Sequence, residues 1–309
     1  MAKKSRSQIW TEYLLARSAI GFFSLLPRRL AVKIGVMTGA AGYLALPHLR
    51  RIGMRNLELA YPEMSLNERR TVLRNVFRNL GRMLGVMGQM VNIPPADIGK
   101  LMDWKLDPKF LTAFEKAGKE GRGRVILSGH MGNWELNAFS WAVVFSPLSY
   151  LARRMDNPKI EEMFLRIRSR FGNEQIEKTN STIPIMRVLR RGGVVGIMAD
   201  VNSHPKEGVF VPFFGIQACT AGGVAMLAMR SNSVIAPILS VWDESRGKYM
   251  AISEDIIEPQ NTGDRKRDIE ATTADYTAAL ERMIRRYPDQ WMWIHKRWST
   301  RPPGEKELY

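Results

Sequence analysis

His130 and Glu135, with four residues between them in Ser128-Gly129-His130-Met131-Gly132-Asn133-Trp134-Glu135, are the pair in this 309-residue sequence best suited to chemistry. Neutral imidazole takes up a proton near pH 7. A carboxylate on its other ring nitrogen fixes the tautomer and stabilises the imidazolium that forms. Such a pair can strip the proton from a hydroxyl as it attacks a thioester, with backbone N–H groups or an arginine holding the oxyanion. No serine or cysteine nucleophile is needed. The spacing limits how the two can meet. Inside one helix, residues five apart project about 140° apart. His130 must therefore precede a helix and Glu135 must reach back to it. Gly129 and Gly132 permit the tight turn and the close approach of a ligand that this requires. At this spacing alone a structural histidine beside an unrelated carboxylate is the commoner outcome; the glycines and the placement at a strand end favour chemistry.

The surrounding pattern supplies that placement. Residues 125–128 read as a buried strand that delivers His130 to its C-terminal edge, and 132–145 read as a helix. Residues 148–151 form a second strand. Asn157-Pro158 is a helix start, closed by Gly172. A helix opening near Ser181 or Thr182 stops at Gly192-Gly193, and strand 194–198 leads to Asp200 just past its end. Thr220 is placed to cap a helix over 221–230, followed by strand 234–241 and a helix over 276–286. Upstream, Ser65 and Glu68 form a capping box opening a helix to about residue 90. This alternation predicts an α/β fold with a central, mostly parallel sheet flanked by helices and a site at its strand ends.

The N-terminal part differs. Residues 9–47 read as two helices broken at Pro27, and 48–62 as an Arg-rich stretch. Glu12, Arg17 and Lys33 interrupt the apolar runs, so neither is a clean membrane span. We expect residues 1–47 to associate with one membrane leaflet, with Arg17, Arg28, Arg29 and Lys33 toward anionic headgroups, and residues 48–309 to form the catalytic domain. A buried helical hairpin is the alternative.

Lys and Arg number 46 against 30 Asp and Glu, a net charge of +16, so anionic partners are expected. Anionic lipids and an acidic carrier fit; no nucleic-acid motif with interleaved aromatics is present. Arg153, Arg154, Arg166, Arg168 and Arg170 crowd one stretch, and arginine suits bidentate phosphate contacts, which makes Arg153 and Arg154 candidate substrate ligands. His48, His204 and His295 are isolated, and Cys219 is the single cysteine, so neither a metal site nor a disulfide is expected. No Gly-x-Ser-x-Gly elbow points to a serine hydrolase. Val209 with Phe213-Phe214-Gly215 could line an acyl tunnel or be plain core, and the tryptophans at 291–298 could be an interfacial belt or a packed segment.

The 130–135 motif, with Asn133 inside it, resembles the first motif of the bacterial lipid A biosynthesis (late) acyltransferases, within the glycerolipid acyltransferase superfamily. The likeness continues in order. Asn56 with Tyr61-Pro62-Glu63 is similar to an upstream signature, and Asp156-Asn157-Pro158 with Arg168 to the second block. Asp200 with residues 208–215 and Thr220 is similar to the third block, and residues 290–298 to the closing motif. The set covers roughly residues 50–303. It departs from the family pattern at Val201, where Gln often follows the aspartate. The resemblance implies a glycerolipid acyltransferase-like fold, an N-terminal membrane anchor at the cell inner membrane and an active site on its cytoplasmic face. It implies transfer of a fatty acyl chain from acyl carrier protein or acyl-CoA to a hydroxyl of a glycolipid precursor, with no cofactor beyond that co-substrate. His130 would be the base and Glu135 its partner, with Arg168 and Asp200 in substrate placement or charge stabilisation, and Asn133 and Thr220 among the substrate-binding positions. Other lipid acceptors (a phosphoinositol mannoside, a lysophospholipid, an amino-lipid) remain open, as does a non-enzymatic polyanion-binding protein.

Overall fold

A computed structural model describes residues 4–309; residues 1–3 of the basic N-terminus lie outside the described residues. Four helices come first: α1 (Arg6–Leu25), α2 (Arg28–Ala45), α3 (Pro47–Ala60) and α4 (Leu66–Met90). The break between α1 and α2 falls at Pro27, which cannot donate a helical hydrogen bond. The Arg-rich stretch after residue 47 forms a helix: α3 buries Gly53, Asn56, Leu57 and Ala60 on one side and exposes its charges on the other. The Ser65 hydroxyl accepts the Glu68 N–H and the Glu68 carboxylate accepts the Ser65 N–H, so the capping box opens α4 where its sequence predicts.

The remainder runs β1 (Met102–Asp103), α5 (Pro108–Lys119), β2 (Arg124–Ser128), α6 (Trp134–Val144), β3 (Ser149–Ala152), α7 (Pro158–Arg168), β4 (Glu174–Glu177), α8 (Thr182–Arg190) and β5 (Val194–Met198). It continues through β6 (Gly208–Phe213), β7 (Ile216–Ala221), α9 (Gly223–Ser231), β8 (Val234–Asp243), β9 (Lys248–Ser253) and α10 (Arg265–Arg286). Seven strands form one sheet in the order β1-β9-β8-β2-β5-β3-β4. Every pair in it is parallel except β8 with β9. This is the α/β architecture expected. Alternate residues of β2 face opposite sides: Val125 and Leu127 join the cluster that includes Ile185 of α8, Ala225 of α9 and Leu280 of α10, while Ile126 joins Phe110 of α5 and Phe139 of α6.

Strands β6 and β7 form a separate antiparallel hairpin turned by Phe214 and Gly215, both at positive φ as a two-residue primed turn requires. Thr220 lies in β7, and α9 starts at Gly223 without a side-chain cap, so the expected cap at Thr220 is absent. Helix α10 starts at Arg265, well before residue 276, because Asp264 caps a polar first turn that carries no apolar period.

Helices α1 and α2 pack on α4 rather than standing apart from the chain. The seam between α2 and α4 is built of glycines: a Cβ on Gly81 would lie 2.0 Å from the Gly35 carbonyl, and one on Gly39 would lie 2.0 Å from the Phe77 carbonyl. Arg28 is turned inward and donates to the Gly247 carbonyl, so it is not directed at headgroups. Among the described residues no single helix is long and apolar enough to cross a membrane; α2 and α3 together pass by length and composition, bent by 90°.

Two glycine substitutions, one off this seam and one in it, should have opposite signs. Gly21, mid-helix in α1 with nothing within 4 Å of its Cβ position, should gain roughly 0.5–1 kcal/mol on Gly21→Ala from helix propensity. Gly81→Ala should lose about 1–3 kcal/mol by overpacking. Thermal unfolding of the two variants checks this; a rise for both would mean that α2 does not sit on α4 as described.

Candidate active site

Strands β2 and β5 are neighbours, parallel, with Ser128 paired to Met198. The second residue past the paired end of one is His130, and past the other is Asp200. The register therefore sets the two at the same height above the sheet. Asp200 Oδ1 lies 2.9 Å from His130 Nδ1, and Asp200 Oδ2 accepts the His130 backbone N–H at 2.6 Å. Oδ2 also accepts the Trp291 indole N–H at 2.8 Å. A carboxylate only accepts, so Nδ1 carries the proton and Nε2 keeps the lone pair. Trp134 stands edge-on to the ring, with centroids 5.1 Å apart.

The loop has the glycines it needs. A Cβ on Gly129 would lie 2.9 Å from the Asp200 carboxylate, and Gly132, at φ +61°, would put a Cβ 1.9 Å from the Ser240 carbonyl. Residues 290–292 tie the loop down: Gly132 N–H donates to the Gln290 carbonyl, Met292 N–H donates to the His130 carbonyl, and Met131 bridges Trp291. The segment is held in turn by Asn56, whose amide donates to the Trp293 and His295 carbonyls at 2.5 Å each. The upstream and closing signatures of the sequence thus meet in space.

Electrostatics follow from this geometry. Burial works against a charged imidazole, but the Asp200 charge and hydrogen bond, with Glu135 adding to them, outweigh it and hold the His130 pKa above its ordinary value. Burial also opposes the Asp200 charge, yet His130 and His295 and the His130 backbone N–H hold that carboxyl well below the usual range.

Glu135 is not the group that holds His130, contrary to the sequence expectation. Arg168 donates to both of its oxygens, from Nε at 2.8 Å and from an η-nitrogen at 2.5 Å. Glu135 lies in the first turn of α6 and Arg168 in the last turn of α7, so each charge complements its helix dipole. Both side chains line a cleft whose walls include Trp104, Ile126, Phe139, Trp141, Leu148 and Tyr150. Burial pushes the Tyr150 hydroxyl up to about 12, so it stays protonated.

The other candidates are more scattered. Asn133 caps α6 through the Leu136 N–H and is fully buried. Thr220 is fully buried and accepts from the Arg297 guanidinium at 2.6 Å, while that guanidinium also donates to the Cys219 carbonyl. Thr220 is thereby part of the core beneath the site, not of the cleft. Arg153 and Arg154 are exposed past the end of β3, 3.0 Å from Asp156 and 3.8 Å from Glu177 respectively. Arg166 pairs with Glu162 in solvent. Phe213 and Phe214 pack in the core against Trp291 and Trp293, and Trp291, Trp293 and Trp298 are fully buried, so neither an acyl tunnel nor an interfacial belt forms there. Among the described residues no cluster of three His, Cys, Asp or Glu forms a metal site. Sequence reasoning did not find Trp291, Ser240 or the cleft residues Trp104, Trp141 and Tyr150. Only Trp291 carried a signal, its place in the closing motif.

Comparison with known proteins identifies the family. The family model described as bacterial lipid A biosynthesis acyltransferase matches residues 2–300. The chain is 28% identical to the lipid A biosynthesis palmitoleoyltransferase of Escherichia coli, over 99% of this chain and 98% of that protein. It is 28% identical to the lipid A biosynthesis lauroyltransferase of the same organism, over 100% and 99%. Among solved structures, the 1-acyl-sn-glycerophosphate acyltransferase of Thermotoga maritima is similar at a TM-score of 0.37 and 10% identity, over 84% of this chain and 99% of that one. With the family model matched over residues 2–300, the chain belongs to the bacterial lipid A biosynthesis acyltransferases.

Proposed function

We propose that this acyltransferase moves a fatty acyl chain from a thioester, of acyl carrier protein or coenzyme A, to a hydroxyl of a lipid A precursor, with His130 as the general base. The observation that carries this reading is the Asp200–His130 bond, which leaves Nε2 as the proton acceptor on a largely buried ring, its side chain 20% exposed, beside an apolar cleft. The acceptor hydroxyl gives its proton to Nε2 as its oxygen attacks the thioester carbonyl. Asp200 stabilises the imidazolium; as the tetrahedral intermediate collapses the thiolate leaves and takes the proton from Nε2, which returns His130 to its neutral form. Arg168, clamped by Glu135, supplies positive charge at the cleft wall for the developing oxyanion. The cleft takes the acyl chain. The exposed Arg153 and Arg154 suit an anionic headgroup or carrier. No cofactor takes part.

The same reading puts the enzyme on the inner membrane, its site on the cytoplasmic face. Leu14, Leu15, Phe22 and Leu25 of α1 and Met37 and Leu44 of α2 are exposed, an apolar surface suited to lie in one leaflet.

Two assays check these statements. With fatty-acyl carrier protein and a panel of lipid acceptors, products read by mass spectrometry, His130→Gln should lose turnover and Asp200→Asn should lose about 10³-fold or more. Because the His130 pKa is raised, the wild-type rate should fall on the acid side through a value above ~6.5. Full turnover by His130→Gln would end the assignment. For the membrane, replacing Leu14, Leu15 and Leu25 with serine, which leaves the core intact, should weaken flotation with anionic vesicles; unchanged flotation would move the contact elsewhere.

A further inference from the structure

We infer that Trp291 is a positioning residue for this reaction: its indole N–H holds the plane of the Asp200 carboxylate so that Oδ1 faces the His130 ring. The inference rests on His130 being the base. The torsion that sets a carboxylate's plane is broad and twofold, so neither covalent geometry nor packing fixes it well. Hydrogen bonds must do so. Asp200 is 2% exposed, with no water-facing oxygen to spare. Oδ1 meets Nδ1, and Oδ2 takes two N–H groups, from the His130 backbone at 2.6 Å and from Trp291 at 2.8 Å. The backbone donor belongs to the same residue as the ring. It cannot by itself stop the carboxylate from turning about the line that joins them. The indole comes from a different direction and completes the constraint.

Trp291 is itself immobilised. It is fully buried and bridged to Met131, and the residues on either side bond to the loop, Met292 N–H to the His130 carbonyl and the Gln290 carbonyl to Gly132 N–H. Its ring packs against Phe213, Trp293 and His295 at centroid distances of 5.6, 4.6 and 5.1 Å. The segment that holds the carboxylate is therefore laced to the loop that carries the base, and the two move as one body. The other charged or titratable groups facing the pair are Glu135 from α6 and His295 and Arg297 from the closing segment. Burial drops His295 to about 4, so it stays neutral across the working range and does not titrate with the pair.

Trp293 provides an internal control. It is as buried as Trp291 and sits in the same aromatic cluster, but its N–H donates to the Pro288 carbonyl and leads nowhere near Asp200. The test uses the full chain with fatty-acyl carrier protein and the accepted lipid, comparing Trp291→Phe, Trp293→Phe and His130→Gln. Expected for Trp291→Phe is a kcat lower by about 10- to 100-fold, the loss of one charge-assisted hydrogen bond, with KM for both substrates unchanged. Its acid limb should shift to lower pH, because a carboxylate turned away from Nδ1 leaves burial to depress the imidazole. Trp293→Phe should keep kcat within about 3-fold and the limb in place. Equal losses in both tryptophan variants, or an unmoved or raised limb in Trp291→Phe, would overturn the inference and leave Trp291 a packing residue. If Trp291→Phe does not fold, benzothienylalanine at position 291, which keeps the bicyclic shape and lacks the N–H, gives the same reading. Turnover retained in His130→Gln would sink the base assignment, and this inference with it. Its loss, beside a normal Trp291→Phe, would sink this inference alone.

Discussion

A buried carboxylate held against an imidazole at the ends of two adjacent parallel strands is the constraint that most of this structure serves. Taking a carboxylate out of water costs several kcal/mol unless donors replace the water. Asp200 has three: the His130 ring, the His130 backbone and the Trp291 indole. Each donor imposes a demand elsewhere. The backbone donor requires the loop to pass so close to the carboxylate that residue 129 must lack a side chain. The indole requires the closing segment to pair with the loop, and Asn56 on α3 holds that segment by two carbonyls. Beneath it, the fully buried Arg297 bonds Thr220 and the Cys219 carbonyl, which joins the β6–β7 hairpin to the same body. Of the five sequence signatures, the upstream, first, third and closing ones, far apart in the chain, meet around this one carboxylate.

Much of this was legible in the sequence. The strand before His130, the strand before Asp200, the capped starts of α4 and α7 and the α/β alternation all follow from local period and capping chemistry. The partner of His130 was not. Glu135 is five residues away, while Asp200 becomes a neighbour only because β5 lies beside β2, with β3 and β4 intervening in the chain but not in the sheet. Strand order is a tertiary property, and no window of sequence contains it. Glu135 was free to be read as the orienter because its true partner, Arg168, lies on another helix. Thr220 looked like a cap because polar residues before a small-residue helix usually are; here a buried arginine claims its hydroxyl. The start of α10 was hidden for a third reason. Its first turn carries charge instead of an apolar period.

The N-terminal helices are joined to the site more closely than a mere anchor would be. Asn157 caps α7 through its carbonyl oxygen, and its amide donates to the Ile9 carbonyl and the Glu12 carboxylate of α1. Helix α7 is the one that ends at Arg168. A single side chain thus links the helix with the exposed leucines to the helix whose guanidinium clamps Glu135. On the other side the glycine seam sets α2 against α4, and α4 reaches the His130 loop through Asn79, which donates to the Gly132 carbonyl. The apolar surface and the His130–Asp200 pair belong to one packed unit.

Asp200, not Glu135, sets the state of the His130 ring. Nitrogen and proton NMR of the full chain labelled at histidine tests it most directly. Neutral His130 should carry its proton on Nδ1, with a strongly downfield resonance that persists in Glu135→Gln and is lost in Asp200→Asn. A neutral ring protonated on Nε2, or a Nδ1 proton that vanishes in Glu135→Gln and survives in Asp200→Asn, would contradict it.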